Sequence, residues 1–162
     1  YYNTLKRIGI WKVIPLTPMR ISNSKEYEGM NLNDLECEAY CSIAKQLKAD
    51  KIIIDNFDHS REKFIQRAEK LGFSFDWDKW IIEHDADIRY PVVSAASIIA
   101  KWYGNMELDI AKIKYGFDFG SGNPNDKRTL EFLKQHLWDN HEFIRYNWAT
   151  VKRLRSKEVN GN

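Results

Sequence analysis

At 162 residues the chain has room for one domain with a substantial core and too little for two comfortable ones. With 43% hydrophobic and 30% charged residues it reads as a folded globular protein. This excludes a disordered chain, and no apolar run approaches the length of a membrane span. The formal net charge of +2 excludes little. Its distribution says more: Arg145, Lys152, Arg153, Arg155 and Lys157 fall in a stretch without an acid, which either follows a phosphate backbone or solvates a helical tail. Cys37 and Cys41, four apart in a helical pattern, suit buried free thiols in a reducing cytosol, so a cytoplasmic protein is expected.

In chain order, Ile8, Ile10, Trp11, Val13, Ile14 and Leu16 predict a strand that Pro15 and Pro18 end. Residues 18 to 31 are polar and predict an irregular loop. Asn33 is expected to begin a helix with Glu36 as its capping-box partner, and Leu32, Leu35, Ala39, Tyr40, Ile43 and Leu47 as its apolar face. Lys51 to Asp55 predicts a short strand buried on both sides. Ser60 caps a helix with Phe64, Ala68 and Leu71 inward and Gly72 as its stop. Lys79 to His84 predicts another strand. Pro91 fits the first turn of a helix running toward Tyr115, with a bend near Gly104. A Gly- and Asn-rich loop over 117–126 leads to Asp126, the cap of a helix with Leu130, Leu133 and Leu137 inward. No repeat or long linker marks a second domain. A single domain over 1–162 is expected, its 127–162 part helical and basic. Strand–helix alternation argues for an α/β domain whose later strands are parallel, with a C-terminal helical extension.

In such sheets the carboxyl ends of the strands form the binding edge. Asp55 follows three isoleucines at one such end, where a carboxylate is costly unless something positive sits beside it. The bland alternative is a loop cap. In His84-Asp85-Ala86-Asp87 a second strand ends in acids, and period-2 alternation puts Asp85 and Asp87 on one face of an extended segment, so spacing does not choose between them. Oxygen donors of this kind suit Mg²⁺, and paired ions of this type cleave phosphodiesters. Two aspartates are too few for two ions. His84 next to the acids reads as a structural histidine rather than a proton shuttle. Ser94 and Ser97 with the first-turn amides make a phosphate seat or pack against the sheet. Lys101, seven residues after Ser94, shares its helical face and reaches a phosphate or solvent.

These pieces, in order, resemble the type 2 ribonuclease H (ribonuclease HII) family, archaeal members in flavour. The matching residues are Asn31-Leu32-Asn33, Ile54-Asp55 with Asp58, and His84-Asp85-Ala86-Asp87. They continue with Pro91-Val92-Val93-Ser94-Ala95-Ala96-Ser97-Ile98-Ile99-Ala100-Lys101, Gly120-Ser121-Gly122 with Pro124 and Asp126, Arg128-Thr129, and Ile144-Arg145 to Trp148 with Thr150. The resemblance implies a ribonuclease H-like mixed sheet flanked by helices. It also implies cleavage of RNA in RNA–DNA hybrids, and incision at ribonucleotides embedded in DNA, with Mg²⁺ or Mn²⁺ held by four carboxylates. Asp55 matches the third carboxylate and Asp87, rather than Asp85, the fourth. Asn33, Ser94, Lys101 and Asn123 match positions facing the substrate. The family's Asp-Glu pair with Ala-Gly-Arg-Gly does not occur in these 162 residues, Asn123 stands where a tyrosine is usual, and Gly104-Asn105 where Arg-Asp is usual. The expectation is therefore a domain without its first strands, needing an N-terminal segment or a partner chain and cutting little alone. The rival reading is a catalytically inactive nucleic-acid-binding module derived from this family.

Overall fold

A computed structural model of the chain describes residues 2–139 and 141–160; Tyr1, Asn140, Gly161 and Asn162 lie outside it, as do the side chains of Tyr2, Lys6, Ile8 and Asn160. The described residues divide into two compact units. One comprises Gly29–Tyr103 and the chain up to Leu16; the other comprises Thr17–Glu28 and the chain from Gly104 on.

The first unit is built on two short strands, β1 (Ile52–Asp55) and β2 (Trp80–Glu83), paired in parallel with Ile52 opposite Trp80 and Asp55 opposite Glu83. Parallel neighbours need a crossover, supplied here by helix α4 (Arg61–Lys70). The expected alternation and parallel pairing are thus present. Burial is one-sided rather than two-sided: Ile54, Trp80 and Ile82 are buried while Ile53, Ile81 and Glu83 are only half-buried. Against the buried face pack Phe64 and Ala68 of α4 and Cys37, Cys41 and Ala44 of helix α3 (Leu32–Leu47). Trp77 and Trp80 sit with ring centroids 5.1 Å apart, and Phe64 and Phe75 close the aromatic cluster around them. Both cysteines are free and fully buried, as expected. Hydrogen bonding to Cys37, with burial, pushes the Cys41 thiol far above its ordinary range.

Three expectations need correction here. No strand forms over 8–16: Tyr2–Ile8 is helix α1, residues 9–17 have no regular structure, and Ile10 is 91% exposed. A strand without a partner ladder leaves its backbone groups to water. The polar stretch after it is helix α2 (Pro18–Tyr27), because Thr17 caps it, accepting from Arg20 N at 3.2 Å, and Pro18 fills the first turn. Helix α3 begins one residue before Asn33. Asn31 is the cap and Asp34 its box partner, the two exchanging bonds of 3.1 and 2.8 Å. An aspartate three residues into the helix does the work assigned to Glu36. The buried stripe of α3 is Leu35, Cys37, Cys41 and Ala44, and Leu47 is exposed.

Helix α5 (Ala86–Arg89) lies against β1, and helix α6 (Pro91–Tyr115) starts at Pro91 as expected; the division between units falls inside α6, at Gly104. The second unit holds helices α7 (Lys127–Gln135) and α8 (Ala149–Asn160) around Phe119, Phe132, Leu137, Ile144 and Val151. Asp126 caps α7 through Arg128 N at 2.9 Å, as expected. The inward residues of α7 are Thr129 and Phe132, and Leu130 and Leu133 are half-buried.

One buried charge pair joins the first unit together. Arg67 of α4 donates to both oxygens of Asp58, at 2.8 and 2.9 Å, and reaches Asp34 at the start of α3. Asp58 is 5% exposed, and the Arg67 guanidinium holds its carboxyl below the usual carboxylate range. A carboxylate with a depressed folded-state pKa contributes stability above its unfolded value of about 3.9, and that stability is lost as pH falls through the folded value. Arg67→Ala should destabilise the protein by ~3 kcal/mol in urea melts at pH 7, by leaving Asp58 buried and unpaired. The loss should shrink below about pH 4, where Asp58 takes up a proton in the variant. A loss independent of pH would show that the pair is not the cause.

Candidate metal and nucleic-acid site

Asp55 closes β1 half-buried. Its Oδ1 accepts from Ala86 N at 3.3 Å, so its carboxylate caps the chain one residue before Asp87. Asn56 N donates to Glu83 O at 2.8 Å, which carries the parallel pairing one residue past the strands. Beneath, burial raises the Tyr40 hydroxyl pKa, and the charges of Glu36 and Asp55 add to the rise.

The second acidic segment is not extended, contrary to the period-2 reading. β2 ends at Glu83, Asp85 turns into the left-handed region with φ +55°, and Asp87 lies in the first turn of α5. A short polar side chain tolerates that backbone region better than most. The turn separates the two acids: Asp85 is exposed, while Asp87 is half-buried. Glu83 is engaged elsewhere, with Arg89 at 3.1 Å and the Tyr90 hydroxyl at 3.4 Å, and Arg89 also bonds the His84 carbonyl. Among the described residues no Lys, Arg or His pairs with Asp55 or Asp87, and no third acid or histidine completes a compact ligand trio with them.

The other sequence-expected residues fall as follows. Asn33 is half-buried in the first turn of α3, and its side chain is among the groups that help Arg67 hold the Asp58 carboxyl below its usual range. Ser94 is half-buried in the first turn of α6, its N–H donating to Tyr90 O at 3.1 Å; Lys101 is exposed further along that helix. These three and both aspartates belong to the first unit. Asn123 belongs to the second, exposed on the 117–126 loop, its Oδ1 accepting from Asn125 N at 2.9 Å. That loop is wired by backbone donors. Ser121 N donates to Asp126 Oδ2 at 2.9 Å, Gly122 N to Thr129 Oγ1 at 3.1 Å, and Thr129 Oγ1 to Phe119 O at 2.8 Å. The Ser121 amide, with further donors, holds the Asp126 carboxyl below its ordinary pKa. A shallow cleft of about 340 Å³ beside the loop is lined by Asn105, Leu108, Lys112, Ser121 and Arg128.

The basic stretch proves mixed. Lys152, Arg153 and Lys157 are exposed on α8, but Arg155 is built in: it donates twice to Leu137 O, at 3.0 and 2.7 Å, and lies 4.7 Å from the Trp138 and Tyr146 rings. Arg145 stacks on Trp148 at 4.4 Å.

A family model described as ribonuclease HII matches residues 5–151. The chain belongs to the ribonuclease HII family. This family is one of metal-dependent endonucleases of the ribonuclease H type. The chain is 34% identical over 154 residues to ribonuclease HII of Methanosarcina barkeri, covering 90% of this chain and 68% of that protein. It is 34% identical to the Methanothrix thermoacetophila ribonuclease HII, covering 80% and 62%. It thus spans about two thirds of the length of the curated relatives it matches. Among solved structures it resembles ribonuclease H2 of Pyrococcus horikoshii, with TM-score 0.81, 32% identity, and 99% of this chain and 75% of that one covered. It also resembles the ribonuclease HII of Archaeoglobus fulgidus described in complex with PCNA, with TM-score 0.80, 30% identity, and 99% and 76% covered. The expected α/β fold with a helical C-terminal part is therefore the family's fold.

The ribonuclease HII-like loop depends on Gly120. At φ +74° it takes a backbone form that other residues rarely adopt, and a Cβ there would stand 2.7 Å from Asp126 Oδ2, the atom that accepts from Ser121 N. Gly120→Ala is expected to cost about 1–2 kcal/mol and to speed amide exchange at Ser121 and Gly122. Unchanged exchange at those two amides would contradict the loop's dependence on this contact.

Proposed function

We propose that the chain carries part of the catalytic surface of an endonuclease that hydrolyses the RNA strand of RNA–DNA hybrids and incises at ribonucleotides embedded in duplex DNA. The observation that supports it most is the Asp55–Ala86 hydrogen bond. It brings the carboxylate at the end of β1 to the backbone that carries Asp87, in a chain of the ribonuclease HII family. Neither carboxylate is neutralised by a basic side chain among the described residues. Two anionic oxygen donors in this state fit a hard divalent cation such as Mg²⁺ or Mn²⁺ better than a softer metal. Asp55 and Asp87 are the residues that would hold it. When bound, such an ion activates water and stabilises charge on the phosphate and leaving oxygen.

The chain's own residues have separate tasks in this reading. The β1–β2 register keeps Asp55 at the sheet edge, and the backbone N–H of Ala86 holds one carboxylate oxygen. Ser94 and the first-turn amides of α6 seat a phosphate, and Lys101 draws the backbone of the duplex. Asn33, half-buried in the first turn of α3, orients the strand beside it. Asn123, its carbonyl oxygen already bonded within the loop, offers its amide N–H₂ to the duplex. No helix of the described residues is long and apolar enough to cross a membrane.

The test is cleavage of a duplex containing one ribonucleotide, and of a continuous hybrid, by the full-length protein with Mg²⁺ and with Mn²⁺. Asp55→Asn and Asp87→Asn should each lower kcat at least about a hundredfold with little change in thermal stability. Lys101→Ala should raise KM more than it lowers kcat. Wild-type binding of the duplex without cleavage would favour the inactive nucleic-acid-binding reading instead.

A further inference from the structure

We propose a second cation site, of a different chemical class, in the turn that follows α7: His136, Asp139 and His141, suited to Zn²⁺ or a similar borderline metal. One ligand atom from each of these residues lies within 4.8 Å of the others, in the only such group found among the described residues. His136 Nδ1 donates to Asp139 Oδ2 at 2.5 Å, and His141 Nε2 stands 3.6 Å from the same oxygen. Tetrahedral Zn²⁺ with bonds near 2.1 Å sets its ligand atoms about 3.4 Å apart. Of the three pairs, His141–Asp139 already has nearly that spacing, His136–Asp139 opens to it by less than about 1 Å, and the two imidazole nitrogens lie within 4.8 Å of each other.

A second observation points the same way. His141 Nε2 is buried, yet makes no hydrogen bond. Buried ring nitrogens ordinarily find a partner. Here the Asp139 carboxylate oxygen stands 3.6 Å away, beyond hydrogen-bond reach. A cation between the two imidazoles and the carboxylate would satisfy that nitrogen and take the place of the proton shared by His136 and Asp139.

The surroundings hold both rings for this purpose. The His136 ring stacks on Phe132 at 4.4 Å and the His141 ring on Phe143 at 5.1 Å, so neither imidazole is free to turn away. Turn bonds from Asp139 N to His136 O and from His141 N to Asp139 O bring the three residues together, and the Tyr146 hydroxyl accepts from His141 N at 2.8 Å. Asp139 is half exposed, which leaves an entry path and room for a water as fourth ligand. Two imidazole nitrogens and one carboxylate select against Mg²⁺, so this site is chemically distinct from the oxygen-only pair at Asp55 and Asp87. Bound metal would clamp the turn onto the aromatic core of the second unit rather than take part in hydrolysis.

Zn²⁺ titration of the full-length protein by calorimetry tests the site, with thermal melts and the imidazole ¹⁵N resonances as further readouts. One Zn²⁺ per chain is expected, with a rise in melting temperature and perturbed ring nitrogens of His136 and His141. His141→Ala and Asp139→Asn should each weaken binding at least tenfold; Asp139 is exposed enough for the second change to leave the fold intact, as far-UV circular dichroism would show. A variant with both His59→Ala and His84→Ala should bind as the wild type does. Absence of stoichiometric Zn²⁺ binding, or binding that is unchanged in His141→Ala and Asp139→Asn and lost with His59 and His84, would overturn the proposal.

Discussion

The parallel register of β1 and β2 is the constraint on which the candidate site rests. Asp55 stands opposite Glu83 because Ile52 stands opposite Trp80, and a slip of one residue would turn Asp55 to the other face of the pair. The register is set from below: Ile54, Trp80 and Ile82 must all face Phe64 and the two cysteines. It is continued from above by Asn56 N on Glu83 O and by Asp55 on Ala86 N. Hydrophobic packing chooses the face, and two hydrogen bonds beyond the strand ends then carry the chain into α5. The carboxylate geometry is a consequence of core packing several residues away.

Electrostatics divides the acids around this edge into two groups. Asp58 and Asp34 are committed to Arg67, and Glu83 to Arg89 and Tyr90, so their charges are used in holding α3, α4 and α5 to the strands. Asp55 and Asp87 have no such cation among the described residues. In the proposed reading, two half-buried carboxylates without a counter-charge, beside neighbouring acids that have one, are where positive charge arrives from outside. In the second unit the division runs the other way among the bases. Arg155 is consumed by the Leu137 carbonyl and two rings, while Lys152, Arg153 and Lys157 remain at the surface.

Much of this was legible in the sequence, for identifiable reasons. Both strands, α4 with its Ser60 cap and Gly72 stop, the Pro91 start of α6 and the Asp126 cap of α7 carry strong local signals, and each stands where those signals put it. The failures have physical causes. Residues 8–16 have strand-like residues, but a strand is a property of two segments, and a single segment's pattern cannot show whether a partner exists. The start of α2 was hidden by its polar composition, although Thr17-Pro18 is itself a start signal. The Asp85 turn defeated a period-2 reading because one residue with φ +55° resets the direction of everything after it. At the site, the presence of Asp55 and Asp87 could be read, whereas the place of Asn33 near Asp58 depends on tertiary packing and the grouping of His136, Asp139 and His141 on the particular turn that follows α7.

The account turns on a divalent cation shared by Asp55 and Asp87. Paramagnetic Mn²⁺, added in substoichiometric amounts to isotopically labelled protein, reports this directly by broadening the resonances of residues close to it. The carboxyl carbons of Asp55 and Asp87 should broaden together and first, with the Ala86 amide, while those of Asp34 and Asp58 persist. Broadening that reaches one of the two aspartates and spares the other, or that begins at another cluster of the chain, would contradict the shared site.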